Sequence, residues 1–501
     1  MIPATADHHR WRPANVEGEY ERLPSDEDDG RSSAIDGYDA DGDDDVECRE
    51  KRSRRPVGTR QTVVYGLGHV FNDFTASIWF SYTMVFMQDV VGVAPTVAGF
   101  LLFFGQTVDA ISTPFVGVLV DKFGQKKTWM LLGTAMEAVS FPLIYNVWNQ
   151  SAAVTAMIYI GSILIFQLGW ALVQISHLSL IPELSGLSWE RGKLTSIRYA
   201  FTVSTNILMF IIAWFVFRGV RKNGAGSLIG PNDAGKFQIL ALISAAVGMF
   251  STLVFHALLK RPRRNTVTAT CNRKLTYLQN QAASFDKIRK FCKSVHLYQV
   301  AVVFTACKLL INIALVYIPL FINESAIGES GTIASVPLMV YVSSLVTSVT
   351  VEYIKPYFKS GKMLFALGSI VSISGSLLVF FNPDNELTYH YLYLAAVCFG
   401  SGSAITSVLS LSVTANLIGN DTDCGAFIYS SVTFSDKLIN GLAIIGIEFM
   451  KCTNLELCSH YYRDVLSFSS GSLALIGLLV FLTIPDILIK MSNNLSSHVD
   501  F

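Results

Sequence analysis

The chain reads as an all-α membrane protein, with twelve transmembrane helices in two six-helix bundles. Three observations predict this. Hydrophobic residues make up 51 % of the 501 and charged ones only 15 %, whereas a soluble chain of this length carries far more surface charge. Twelve apolar runs each approach or exceed the roughly 20 residues a helix needs to cross the hydrocarbon core. A strongly basic stretch, residues 260–296, then divides those runs six and six.

Residues 1–60 are an acidic tail that ends in a basic cluster, Lys51-Arg52-Ser53-Arg54-Arg55. Sixteen acids against five arginines give residues 1–50 a charge of −11 and leave +11 on the rest, so the net charge of zero hides two unlike regions. With few aromatics and no apolar period, the tail is expected to be disordered. A polar tail followed by a run this long does not resemble a cleaved signal peptide.

Residues 61–259 hold the first bundle, with spans near Val63–Met87, Thr96–Val120, Thr128–Val147, Ala153–Ile181, Leu194–Phe217 and Phe237–Leu259. The linker 260–296 carries ten Lys/Arg against one acid, Asp286. Residues 297–490 hold the second bundle, with spans near Leu297–Ile322, Ile333–Ile354, Met363–Phe381, Tyr389–Thr414, Ala426–Phe449 and Ser467–Ile489. Residues 491–501 are a second tail.

Basic loops stay on the cytoplasmic side of a membrane. The linker and the loops after spans 2, 4 and 8 therefore predict cytoplasmic termini; the loop after span 5, with Arg218, Arg221 and Lys222, is outvoted. The sequons at Asn149 and Asn323 then face the opposite side, where glycosylation is possible. Cys452 and Cys458 flank a loop on that same side, so the compartment permits a disulfide between them. The other cysteines form no framework, and no metal-ligand spacing is present.

Ionisable groups inside these runs are the informative residues. A charge at mid-membrane costs about 3 kcal/mol on insertion scales, so it is expected to face a bundle interior or a water-filled path. Tyr65, His69 and Asp73 follow at i, i+4 and i+8 on one helix face. They are either helix-to-helix glue or a His/Asp pair that exchanges a proton. Gln106, Asp109 and Thr113 share a face of the second span, just before Pro114. On the fourth span Trp170, Gln174 and His177 line one side, and Arg198 enters the fifth. Lys308 and Asn312 are one turn apart on span 7, and span 11 carries Asp436, Lys437 and Asn440. Lys437 needs a partner: Asp73 or Asp109 across the bundles, or its neighbour Asp436. At the end of span 2, Gly117, Asp121, Lys122, Gly124, Lys126 and Lys127 suit a conformational latch.

Polar groups aimed inward from many spans point to a machine that moves a polar solute. No nucleophile has a credible base beside it, so an enzyme is not expected, and no cofactor is implied. The basic linker lacks interleaved aromatics, so nucleic acid is not an expected partner.

The six-plus-six pattern, the Gly117–Lys127 loop, Tyr65-Gly66-x-Gly68…Asp73, Asp109 before Pro114, Pro182 with Arg191 and Arg198, and Lys437 resemble the glycoside–pentoside–hexuronide:cation symporter branch of the major facilitator superfamily. The stretches Gln174–Leu184 and Asp436–Ala443 are similar to a lysosomal and melanosomal group within that branch. The resemblance implies the superfamily fold and import of cysteine, or a related small solute, into lysosomes or pigment organelles. Cation-coupled sugar or lysolipid symport, or a non-transporting receptor or scaffold, are the alternatives. Two departures matter. Thr113 stands where the sugar symporters have a second acid on helix 2, and Gln174 where they have an acid on helix 4. That leaves room for a small zwitterion, with its ammonium on Asp73 or Asp109 and its carboxylate on Arg198, Lys308 or Lys437. Protons and membrane lipid are the other expected partners. Tyr20 and Leu23 in the tail fit a tyrosine-based signal for a clathrin adaptor.

Overall fold

The computed structural model describes residues 57–123, 125–184, 188–218, 228–260, 293–325, 329–354, 357–358, 360–382, 388–418, 425–451 and 460–489. Tyr20, Leu23, Gly124, Cys452 and Cys458 lie outside these residues, as do the side chains of Asp121, Lys122 and Arg191.

The described residues form helices and no strand: α1 (Thr59–Leu67), α2 (Val70–Val85), α3 (Pro95–Phe123), α4 (Lys126–Ile144), α5 (Ala152–Ser179), α6 (Ile181–Leu184), α7 (Ser188–Phe217) and α8 (Ala234–Leu258), then α9 (Val295–Glu324), α10 (Thr332–Ile354), α11 (Gly361–Phe380), α12 (Thr388–Ile418), α13 (Gly425–Met450) and α14 (Tyr461–Thr483). Helices are what lipid demands, because each backbone polar group must be satisfied within its own segment. Among the described residues nine helices are long and apolar enough to cross a membrane. The α1–α2 pair, α4 and α13 complete twelve. The outer surface is apolar, with Phe115 71 %, Phe250 69 % and Phe468 63 % exposed. Such a surface suits lipid and not water.

The first apolar run departs from expectation: it is two helices. After Tyr65 the chain tightens into i→i+3 hydrogen bonds, Gly68 N to Tyr65 O (3.1 Å) and His69 N to Gly66 O (3.4 Å), before α2 begins. A side chain at Gly68 would meet Phe255 at 2.7 Å and His177 at 2.9 Å. The absence of one lets α5 and α8 press against the break, and a locally tightened turn of this kind marks a hinge. Beyond α2 one π turn, Phe86–Val90, carries Gln88 and Asp89.

The helices fall into two halves, α1–α8 and α9–α14. At the end where α8 finishes and α9 begins, here the linker end, the halves keep separate cores. Val64, Tyr65, Met130, Val173, Leu194 and Phe255 form one, and Val300, Val351, Phe365, Leu409 and Phe481 form the other. At the opposite, far end a single core takes in both, from Met84, Phe86 and Phe210 to Ile318, Val336, Ile447 and Leu466. Polar bridges reinforce that closure. Asn323 accepts from Ile229 N (2.7 Å) and donates to Asp89 Oδ2 (2.8 Å). Gln88 donates to Glu448 Oε2 (3.1 Å) and accepts from the Tyr462 hydroxyl (2.6 Å). Ser330 donates to Phe217 O (2.8 Å). The halves are joined at the far end and parted at the linker end.

These bridges correct one expectation. Asn323 is only 1 % exposed, lies inside α9 and has its amide bonded to the other half. It is a structural residue and no glycan acceptor in this arrangement. Asn149, in the loop before α5, is exposed.

Candidate functional site: charged side chains between the halves

The sequence places ionisable groups at mid-helix, and the fold sorts them into three sets. The first lies within the first half. His69 Nδ1 is 2.9 Å from Asp73 Oδ1, and Arg198 Nη2 is 2.7 Å from His69 Nε2. A guanidinium only donates, so His69 Nε2 accepts, and the ring's single proton sits on Nδ1 and is given to Asp73. A neutral imidazole thus links a cation to a carboxylate. Thr202, one turn beyond Arg198, donates to Asp73 Oδ2 (3.1 Å). Behind the chain, the His177 ring stacks on Tyr65 (centroids 4.2 Å) and its Nε2 lies 2.8 Å from Tyr65 O.

Both His177 and Tyr65 are fully buried. The expectation that they line a path is therefore corrected: they hold the α1–α2 break against α5. The rest of the α5 stripe behaves differently. Trp170 and Gln174 are half-buried, and Trp170 Nε1 donates to Gln174 Oε1 (3.2 Å). Asn72 ties α2 to this stripe by donating to Trp170 O (3.2 Å).

The second set joins the halves. Lys437 Nζ on α13 lies 2.6 Å from Asp109 Oδ2 on α3 and 3.3 Å from the Thr113 hydroxyl. Of the partners open to Lys437 in the sequence, Asp109 is the one in contact. Thr113 donates to the Asp109 backbone O (2.8 Å) and lies 3.3 Å from Asp109 Oδ1, so its hydroxyl sits beside the carboxylate as well as the ammonium. Gly441 makes the approach possible. A side chain there would meet Phe103 at 2.9 Å and Gln106 at 3.3 Å, which would force α3 and α13 apart. Gln106 is buried at this crossing.

The third set is confined to the second half. Asn440 donates to Asp436 Oδ1 (2.6 Å), and Asn312 donates to Asn440 Oδ1 (3.0 Å), which clamps α9 to α13. Lys308, half-buried, lies one turn from Asn312 with its ammonium 5.9 Å from the Phe304 ring centroid.

The latch lysines turn inward on their own half. Lys126 Nζ donates to Ser179 O (2.6 Å) and pairs with Glu183 (3.1 Å), while Lys127 Nζ donates to His256 O (3.3 Å) and Leu259 O (2.7 Å). Each ammonium sits at the C-terminal end of a helix, where the backbone dipole favours a cation. Gly117 faces open space.

Several functional candidates escaped the sequence reading. Glu137 on α4 is fully buried, with no hydrogen-bond partner on either carboxyl oxygen among the described residues. Glu448 is likewise fully buried, and with Gln88 and Asp89 it belongs to the far-end closure. An acid inside an apolar run was signal enough for Glu137 and Glu448. Thr202 and Asn206, which accepts from the Ser77 hydroxyl on α2 (2.7 Å), are uncharged and common in membrane helices and carried no such signal.

A family model described as "MFS/sugar transport protein" matches residues 64–484. Major facilitator superfamily domain-containing protein 12 of Equus caballus is 33 % identical over 422 residues, which cover 81 % of this chain and 87 % of that protein. The Homo sapiens protein of the same name is 31 % identical, covering 84 % and 92 %. Among solved structures, a D-xylose-proton symporter superposes with a TM-score of 0.68 at 15 % identity, over 86 % of this chain and 99 % of that one. Apolar helices, two bundles with charge between them and a family match over most of the length lead to one assignment: the chain is a multi-pass membrane protein of the MFS/sugar transport protein family, a secondary transporter of the symporter type and not an enzyme.

Proposed function

We propose that this transporter carries a small polar solute, cysteine or a close relative, by rocking its two halves about the charged layer between them, with proton exchange at His69–Asp73. The observation that carries the reading is the Asp109–Lys437 pair. It spans the halves at membrane depth, and breaking a buried pair leaves charges that need new partners. Tilting the halves separates it, so solute or proton must compensate the charges at that moment. This ties transport to occupancy.

The His69 relay supports the proton part. Adding a proton to His69 Nε2 replaces its bond to Arg198 with repulsion, and frees the guanidinium to approach Asp73. The positive-inside rule makes the linker end cytoplasmic, so the arrangement described here opens toward the cytoplasm. The residue-level resemblance supports cysteine as cargo and a lysosomal or pigment-organelle membrane as the location. In the same reading, the Gly117–Lys127 loop latches that face and Asn149 is the glycan site. Cys452 and Cys458 form a disulfide, and Tyr20 with Leu23 directs sorting.

The test is radiolabelled cysteine uptake into intact organelles with and without the protein, with sugars, lysolipids and other amino acids as competitors. Asp109→Asn is expected to lose at least tenfold in uptake at unchanged abundance. Full uptake by that variant removes the coupling role, and competition by sugars or lysolipids alone reassigns the cargo.

A further inference from the structure

We propose that Lys308 and Asp436 form a head-group subsite for a small zwitterion, Lys308 receiving its carboxylate and Asp436 its ammonium. The inference rests on the transport reading and adds which side chains recognise the solute.

The three charged sets differ in how completely they are closed. Arg198 is bonded through His69 to Asp73, and Lys437 is in contact with Asp109. Lys308 has no carboxylate within 4.0 Å among the described residues. Asp436, the acid one turn from Asn440, therefore forms no ion pair with it.

Helix geometry fixes the level at which the two groups stand. The spans alternate in direction, so α9 and α13, the seventh and eleventh, run the same way. The Asn312–Asn440 bond sets their register. Lys308 and Asp436 each lie four residues earlier, so both stand about one turn, roughly 5.4 Å, toward the linker end, where the halves part. One further turn on, Phe304 and Val432 pack in a shared apolar cluster with Leu297. An ammonium and a carboxylate therefore stand level, with an amide bridge on one side and an apolar layer on the other. Asn440 occupies Asp436 Oδ1.

Charge decides what fits. A buried charge is tolerated when it is paired and hydrogen-bonded. A zwitterion set between Lys308 and Asp436 meets both charges and adds none. A free amine or a free acid meets one charge and unbalances the site. An uncharged sugar meets neither.

The test uses the purified full-length protein and thermal stabilisation by three matched probes: L-cysteine, cysteamine, which lacks the carboxylate, and 3-mercaptopropionate, which lacks the ammonium. Wild type is expected to be stabilised by L-cysteine at concentrations at least tenfold below those needed for either fragment. Lys308→Met should raise the half-saturating L-cysteine concentration at least tenfold while the cysteamine response is kept or strengthened, and Asp436→Asn should do the same while the 3-mercaptopropionate response is kept or strengthened. Lys308→Arg should keep most of the stabilisation, and ligand-free melting points show that each variant folds. Equal stabilisation of wild type by all three probes, no stabilisation by L-cysteine, or a response untouched by both substitutions overturns the subsite. Vesicle flux is scored separately: a stabilised protein that moves no cysteine removes the cargo assignment and leaves the subsite standing.

Discussion

At the scale of single residues, His69 links two functions that either neighbour alone could not. Its ring accepts from Arg198 and donates to Asp73, so its charge state determines whether the guanidinium is held away from the carboxylate. Glutamine at this position keeps one acceptor and one donor and cannot take up a proton. His69→Gln is therefore expected to retain measurable cysteine uptake while flattening its dependence on pH between 5 and 8. Uptake assayed across that range at matched protein abundance is the measurement, and an unchanged profile excludes His69 as the proton site. The i, i+4 spacing of His69 and Asp73 made this pairing legible in the sequence. It gave no hint of Arg198 as the third member, because that contact joins residues 129 positions apart.

At the scale of elements, the crossing of α3 and α13 governs how closely the halves meet at the Asp109–Lys437 pair. Gly441 lies at a tight point of that crossing, with Phe103 and Gln106 opposite. Over-packing a tight contact commonly costs about 1–3 kcal/mol, met by shifting the backbone. Gly441→Val should push α13 from α3, lengthen the 2.6 Å Asp109–Lys437 contact and reduce uptake at least fivefold, with little change in the amount of folded protein. Normal uptake in this variant means the close crossing is dispensable. The break between α1 and α2 belongs to the same scale. The hydrophobic run from Val63 reads as one helix because lipid accepts any apolar sequence. The interruption is imposed by His177 and Phe255 packing over Gly68, which no local pattern reports.

For the whole molecule, one shared core at the far end and two separate cores at the linker end describe a transporter caught on one side of its cycle. The polar closure at the far end is expected to respond to acid. Asp89 sits beyond α2, outside the membrane-spanning segment. Burial pushes its carboxyl up to about 6; Glu324 adds to the rise, while the Asn323 bond and the Lys451 ammonium oppose it. Opening exposes Asp89 to water and returns it toward the ordinary carboxylate value. The closed form therefore binds a proton more tightly, and closure strengthens as pH falls through about 6 and weakens above it. Labelling of a cysteine introduced near the far end, each rate divided by that of a free thiol at the same pH to remove the change in thiolate fraction, should accordingly be faster at pH 7.5 than at pH 5. Asp89→Asn should hold the slow, closed-state rate at both values. Equal labelling of wild type at the two pH values refutes this.

What the sequence determined by itself was the class of the molecule: twelve apolar helices, a basic divider and a short inventory of charges that lipid cannot solvate. Those readings depend on local composition, and membrane energetics act locally. What only the tertiary structure decided was the partnership of those charges. It selected Asp109 for Lys437, linked Arg198 to Asp73 through His69, set Lys308 near the Phe304 ring with no carboxylate within 4.0 Å among the described residues, and buried Asn323 between the halves. Each of these outcomes is a packing decision between helices distant along the chain. Hydropathy along a single helix carries no information about which neighbour it will meet.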